Sequence, residues 1–246
     1  VMIPNWYKTI MQYDYIFLFY AILINRKIIT MKIKKRLILL TLITLISGFL
    51  YVPFIKVSSE TTNIVWIVFP FGSALVILLL TWLGIKLSDK TQLPMPILRK
   101  WENNERIKFK DGKILLIPLL IGGIFALVTY GLNQYFNPPE NPGNFLERIL
   151  TTPWAALVTE TISHLLIMSA IVLLLKKNWL GIIISSLLFL VIFHLNSIEG
   201  DLVLTTYLGT MNFIGVTITG WIYSKYGFES AVISHASMHL IILGLN

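Results

Sequence analysis

Two ionisable side chains, Glu160 and His164, lie in the otherwise apolar stretch WAALVTETISHLLIMSA at residues 154–170. A carboxylate in the hydrocarbon of a bilayer costs several kcal/mol unless it is paired, protonated or facing a polar cavity, so an acid there indicates a functional site. On a helix, a spacing of four residues puts the two side chains on one face, one turn apart. The pattern therefore predicts a pair that shares a proton, a water molecule or a metal ion.

The other histidines extend this prediction. The sequence has 4 histidines, and His194, His235 and His239, like His164, each fall in an apolar stretch. Ionisable groups inside a membrane tend to gather around a shared cavity. His235 and His239 are again four residues apart, hence on one helical face. We expect the four imidazoles to form one polar site with Glu160.

The residue types leave three chemistries open. In the first, hydrolysis, Glu160 is a general base that activates water, while histidines hold that water, a divalent metal or the oxyanion. In the second, facing histidines ligate a haem. In the third, the Glu and His chain relays protons in a carrier. The expected metal is zinc, because the chain has no cysteine and its available donors are imidazole nitrogen and carboxylate oxygen. The candidate ligands are Glu160, His164, His194, His235 and His239.

The composition predicts an all-α fold, a polytopic transmembrane helical bundle of about seven spans. Of the 246 residues, 56% are hydrophobic and 13% are charged, and the mean hydropathy is +0.76. The charges cluster between continuous apolar runs that are long enough to cross a bilayer and lack the alternation of barrel strands. The expected spans are Leu37–Ile55, Ile64–Ile85, Ile114–Phe136, Leu150–Leu175, Trp179–Ile198, Leu202–Tyr223 and Ser230–Leu245.

Three parts follow one another along the chain. Residues 1–36 are a basic, interfacial segment that reads as an extension ahead of the first span. Residues 37–136 hold three spans and a basic loop in which Pro94 and Pro96 frame a short surface helix. Residues 150–246 hold the four helices that carry every candidate site residue. Aromatic residues near span ends, among them Tyr223, are expected to lie in the interfacial belt.

Basic residues give the orientation and exclude one class of partner. KIKKR at residues 32–36, the loop at 86–113, Lys176, Lys177 and Lys225 all fall on one side of the predicted bundle. By the positive-inside rule this side is cytoplasmic, so we expect a plasma-membrane protein with a cytoplasmic N-terminus. The net charge of +8 is then explained by cytoplasmic loops facing anionic lipid, and nucleic acid is not an expected partner. Hydrolysis would add a membrane-associated peptide or protein substrate.

Counting from the turn at Lys177 predicts the depth of each group. Glu160 and His194 are equally far from it in sequence, which places both about 25 Å from the cytoplasmic end at 1.5 Å per residue. Gly227 is the expected turn before the last helix, and His164 and His239 come out at about 20 and 18 Å from the turns at Lys177 and Gly227. His235 is expected one turn lower, at about 12 Å.

Four pieces of the sequence resemble, in order and spacing, the motifs of the CAAX protease and bacteriocin-processing family of intramembrane proteases, also called ABI proteins. They are TETISH at residues 159–164, LVIFH at 190–194, GVTITGWIYSKYG at 215–227 and HASMH at 235–239. The family's pieces are EExxxR, FxxxH, a Gly-containing helix, and HxxxN or HxxxD. The resemblance covers about residues 151–245.

The resemblance implies an intramembrane endopeptidase similar to the type II CAAX prenyl endopeptidases. It implies Glu160 as the water-activating base, His194 and His235 as partners of water, metal or oxyanion, and His239 at the last motif position. One motif glutamate and the arginine are missing here. We expect Glu160 to take the first acidic position; if it takes the second, His164 stands where the arginine would be. The missing residues keep a non-catalytic membrane immunity or binding protein of the same fold as the alternative.

Overall fold

The computed structural model describes residues 35–52, 62–108, 112–136, 145–193 and 202–245, and within them it is helical and contains no strand. All of these residues belong to one compact unit, Lys35–Asn246. The predicted all-α class is confirmed. In chain order the elements are α1 (Lys35–Tyr51), α2 (Thr62–Thr91), α3 (Pro96–Glu102), α4 (Lys113–Phe136), α5 (Phe145–Glu160), a π-helical segment (Thr161–Met168), α6 (Ser169–Leu175), α7 (Asn178–Phe193), α8 (Leu202–Tyr226) and α9 (Phe228–Leu245).

Among the described residues, four helices are long and apolar enough to cross a membrane. They are Val68–Thr91, Ile114–Phe136, Ile149–Leu175 and Leu202–Tyr226. These match four of the seven expected spans. The apolar part of α7, Asn178–Ile192, is shorter than a span. Its expected continuation to Ile198, the end of the first expected span and residues 1–34 of the basic segment lie outside the described residues.

The outer surface of the bundle is apolar. Large aliphatic side chains are exposed on several helices, among them Ile46 (62%), Ile124 (63%), Leu174 (78%) and Val203 (62%). A bundle in water would turn such residues inward, whereas lipid solvates them. This surface is compatible with a membrane protein.

The continuous helix formed by α5, the π-helical segment and α6 lies at the centre of the bundle. Half of the residues in its apolar window are buried, against 33%, 28% and 17% in the other three apolar helices. It packs against α1, α2, α7, α8 and α9. A polar side chain on this helix therefore faces protein and needs a partner there.

Close packing of α4 against α9 holds the helix that carries His235 and His239. Pro118 has no backbone N–H, which leaves the Ile114 carbonyl without its helical partner, and the Ser230 hydroxyl of α9 donates to that carbonyl at 2.8 Å. A Cβ on Gly122 of α4 would lie 2.4 Å from the Ser234 carbonyl oxygen. Only glycine permits this approach of the two backbones.

A single residue, Gly227, separates α8 from α9, as the sequence predicts. Its φ of +111° is open to glycine but strained for other residues. Just beyond it, the Phe228 N–H donates to the Pro94 carbonyl at 3.1 Å, and the Glu229 carboxylate accepts the Leu98 N–H at 2.6 Å. Burial raises the pKa of Glu229, which precedes the apolar part of α9. The expected surface helix, α3, is thereby attached to the start of α9.

A buried cation joins three helices at the same end of the bundle. Arg36, 2% exposed on α1, forms salt bridges of 3.0 Å with Asp89 of α2 and with Glu102 of α3. Asp89 also binds Arg99 at 3.1 Å. Two carboxylates offset the cost of removing the guanidinium group from water.

We expect Arg36→Ala to lower the free energy of unfolding in detergent micelles by about 2 kcal/mol. That is below the usual cost of breaking a buried pair, because both acids keep partial contact with solvent. Lys35→Ala is the matched control, since the exposed Lys35 ammonium binds only the Asn104 side chain among the contacts described. It should stay within about 0.5 kcal/mol of the parent protein. Equal losses in the two variants would contradict a role for Arg36 as a buried clamp.

Candidate functional site

Glu160, the last residue of α5, has both carboxylate oxygens hydrogen-bonded to histidine. Oε2 accepts from Nδ1 of His164 at 2.5 Å, and Oε1 accepts from Nδ1 of His235 at 2.7 Å. The carboxylate is completely buried, with 0% of the side chain exposed. The predicted placing of Glu160 and His164 on one face is confirmed. His235 reaches the same carboxylate from α9.

The backbone that follows Glu160 is π-helical over eight residues. Its wider turn uses i→i+5 hydrogen bonds, and the Ser169 N–H accordingly donates to the His164 carbonyl. The Ser169 hydroxyl lies 3.0 Å from the Tyr223 hydroxyl on α8. Tyr223 is 0% exposed, so its expected place in the interfacial belt is wrong. Its phenol instead helps to tie the π-helical segment to α8.

The His164 ring is held between the central helix and α8. Nε2 donates to the Val216 carbonyl oxygen at 3.0 Å. Nδ1 faces Glu160 and, at 3.0 Å, the Ser163 hydroxyl oxygen, whose own hydrogen is directed to the Thr159 carbonyl at 2.6 Å. Every partner of the ring is an acceptor. The contacts are fully satisfied when both ring nitrogens carry a hydrogen, which makes His164 and Glu160 an ion pair without net charge.

His235 and His239 form the open end of the same network. Their Nε2 atoms are 3.0 Å apart, and the rings stack with centroids 4.9 Å apart. Because Nδ1 of His235 donates to Glu160, its Nε2 offers a lone pair and accepts the N–H of His239. The His235 side chain is 15% exposed and His239 is exposed. A hydrogen-bonded chain thus runs from buried His164 to exposed His239.

The contact between Glu160 and His235 corrects the predicted depths. His235 was expected at about 12 Å and Glu160 at about 25 Å, roughly 13 Å apart in depth, yet the two side chains are directly hydrogen-bonded. The count assumed α-helical rise from Lys177 to Glu160, whereas residues 161–168 are π-helical. A π-helix has more residues per turn and gains less height per residue. The acid therefore lies about 3 Å nearer the turn at Lys177 than the count predicts, and the rest of the difference comes from helix tilt and from turns that lie at different heights.

The described residues supply two of the donor atoms that a zinc site needs. Nε2 of His235 and Nε2 of His239 converge, while the oxygens of Glu160 and the nitrogens of His164 already have partners. No group of three or more potential ligands is assembled among the described residues, and protein zinc sites use three or four. His194, the remaining candidate, lies outside those residues.

Two parts of the site could not be predicted from reactive side chains. The Val216 carbonyl is backbone, and Gly220 contributes only its lack of a side chain. A Cβ at Gly220 would lie 2.8 Å from Nε2 of His164. The sequence does contain one indication, because a glycine such as Gly220 within a stretch of bulky apolar residues is typical of close approach by another group.

Comparison of the chain with models of protein families, with curated proteins and with solved structures gives no match. The resemblance to the CAAX protease and bacteriocin-processing family therefore stays a prediction made on the four sequence motifs.

The hydrogen bond between Glu160 on the central helix and His235 on α9 predicts that substitutions at these two positions are energetically coupled. We expect a double-mutant cycle of Glu160→Gln and His235→Asn to give a coupling energy of about 1–3 kcal/mol, the range for directly contacting polar groups. The measurement is the free energy of unfolding in detergent micelles.

The control cycle pairs Glu160→Gln with Ser230→Ala. Ser230 is on the same helix as His235 but donates to the Ile114 carbonyl on α4. Its effect should add to that of Glu160→Gln within about 0.5 kcal/mol. An additive result for His235 as well would mean that its bond to Glu160 contributes nothing to folding.

Proposed function

We propose that this protein is a membrane-embedded hydrolase, an intramembrane endopeptidase that cleaves a membrane-associated peptide or protein. The observation that carries the proposal is the Glu160 carboxylate, buried in the central helix and hydrogen-bonded to Nδ1 of His235. A carboxylate on Nδ1 fixes the tautomer of a histidine and makes its Nε2 a better base. The Nε2 of His235 is directed towards the more exposed end of the network.

In this proposal His235, and not Glu160 itself, takes the proton from water. Glu160 is 0% exposed and both of its oxygens have donors, so the carboxylate has no free position for a water and His235 is the base of the proposal. At rest the His239 N–H is bonded to Nε2 of His235, so in the proposed step His239 releases that nitrogen and a water takes its place. The water gives its proton to Nε2 of His235 while its oxygen bonds to the peptide carbonyl carbon, and the released His239 N–H donates to the oxyanion that forms.

Collapse of the tetrahedral intermediate completes the reaction. The C–N bond breaks as Nε2 of His235 returns its proton to the leaving amine, so that the site ends in its starting protonation state. Glu160 accepts the Nδ1 hydrogen throughout and so keeps the His235 ring in one orientation and one tautomer between the two proton transfers. His194 keeps the role that the resemblance gives it, as a further partner of the water or oxyanion.

The proposal includes about seven membrane spans, four of which are the long apolar helices. It places the protein in the plasma membrane with a cytoplasmic N-terminus. Lipid surrounds the bundle, and the substrate reaches the site from the membrane. Zinc is the metal to look for in the purified protein, because two imidazole nitrogens converge at the exposed end of the network.

A non-catalytic binding or immunity protein is the second candidate. The complete enclosure of Glu160 supports it, since a saturated ion pair also serves to hold helices in register. The haem alternative is less well supported: His164 has no free nitrogen, and His235 and His239 are adjacent on one helix instead of facing each other across a porphyrin. A Soret band in the purified protein would reinstate it.

We expect Glu160→Gln to reduce peptidase turnover in proteoliposomes by at least about 100-fold, the scale of a lost acid–base contribution. The amide replaces one acceptor oxygen with a donor, so it cannot accept a hydrogen bond from both imidazoles. The probes are quenched fluorescent peptides, one with a prenylated cysteine and a series that inserts into the bilayer.

Glu105→Gln is the control for this variant, because Glu105 is exposed and should leave turnover unchanged. Undiminished cleavage by a folded Glu160→Gln protein would refute the proposed mechanism. A biological phenotype that persists in Glu160→Ala, with no cleavage by the parent protein, would favour the non-catalytic candidate.

A further inference from the structure

We infer that His164 is a positioning residue that acts through Glu160. The missing side chain of Gly220 leaves the space in which the His164 ring lies, and this space is called the seat. The inference deepens the proposed function and, where it concerns turnover, rests on it. His164 does not touch the end of the network where water is proposed to react. Its ring connects the Glu160 carboxylate, 2.5 Å from Nδ1, to the backbone of α8, 3.0 Å from Nε2.

The bond to Val216 requires an accessible carbonyl in the middle of an α-helix. That oxygen normally accepts the N–H of the residue four positions later and is covered by the side chains of the following turn, which lean towards the N-terminus. The residue four positions later is Gly220, which has no side chain. At the position before it, Thr219 adds a donor to the same oxygen at 3.2 Å. Gly220 thus leaves the Val216 carbonyl open towards His164.

The seat fits the imidazole closely. A Cβ on Gly220 would lie 2.8 Å from Nε2 and 3.1 Å from Cδ2 of His164, and 3.3 Å from Cγ2 of Ile182 on α7. The ring is 0% exposed and bonded at both nitrogens, so it cannot yield without losing one bond. Even one methyl group therefore displaces the ring from Val216.

Loss of the seat would be transmitted to the reactive end of the site. With His164 fixed, Oε2 of Glu160 is fixed, and the other oxygen is directed at Nδ1 of His235. With His164 displaced, the carboxylate can rotate and its second bond loses its direction. His164 consequently acts on the orientation of the base and not on substrate binding.

The test compares two alanine substitutions on α8. Gly220→Ala fills the seat, whereas a Cβ on Gly209 would lie 3.7 Å from Leu190, an ordinary contact. We expect Gly220→Ala to remove the low-field proton NMR signal of the short bond between Glu160 and His164, which Gly209→Ala keeps. We also expect Gly220→Ala to lower kcat by about 10- to 100-fold, the range for residues that orient an active group, with KM unchanged.

A double-mutant cycle decides whether the effect passes through His164. If it does, Gly220→Ala combined with His164→Asn is no worse than His164→Asn alone. Additive losses, a low-field signal that survives Gly220→Ala, or equal effects of the two glycine substitutions would overturn the inference.

If Gly220→Ala does not fold, His164→Asn is used for the test. A fall in kcat at constant KM supports positioning, and a rise in KM at constant kcat refutes it. If the parent protein cleaves no peptide, the proposed function fails, while the NMR signal and a cycle on unfolding free energy still decide the seat.

Discussion

The enclosure of one carboxylate inside apolar helices is the constraint on which the rest of this structure depends. Glu160 is fully buried, and a charged group without partners at such a place would shift its protonation state or unfold its surroundings. Two imidazoles from different helices meet its two oxygens. The packing of the bundle brings both imidazole rings within hydrogen-bonding distance of the carboxylate.

The contacts of Glu160 and His164 require close approach of the central helix, α8 and α9, and small residues and backbone irregularities permit it. The π-helical turn lets His164 lie against Glu160 while Ser169 binds the His164 carbonyl. Gly220 admits the ring to α8, and Gly122 admits α9 to α4. The π-helical segment and Gly220 each weaken an ideal helix locally, and each lies beside a polar contact of His164. This distribution fits a bundle whose local stability is reduced where a reactive group must be oriented.

Much of the site could be predicted from the sequence because the governing rule is local. A spacing of four residues puts Glu160 beside His164 and His235 beside His239, whatever the neighbours do. Gly227 was recognisable as a turn for an equally local reason. The bond between Glu160 and His235 joins helices that are far apart in sequence, so its prediction depended on depth. Depth was misjudged because periodicity shows neither a π-helix nor the relative heights of two turns. Tyr223 was misplaced since an aromatic ring near a span end is equally suited to lipid and to a buried hydroxyl partner.

The segment TETISH at residues 159–164 resembles the glutamate motif of the CAAX protease and bacteriocin-processing family without its arginine. In the family the acid is accompanied by an arginine, which in the second register would occupy the position of His164. Here that position supplies an N–H to the carboxylate and a second N–H to the Val216 carbonyl, two donors where a guanidinium group would offer several. An imidazole side chain is shorter than that of arginine, so the ring must lie close to α8 to reach the Val216 carbonyl. Gly220 permits this approach because it has no side chain. Under the resemblance, the contacts of His164 agree better with the second register than with the first, because an N–H donor then lies beside the acid where the motif has its arginine.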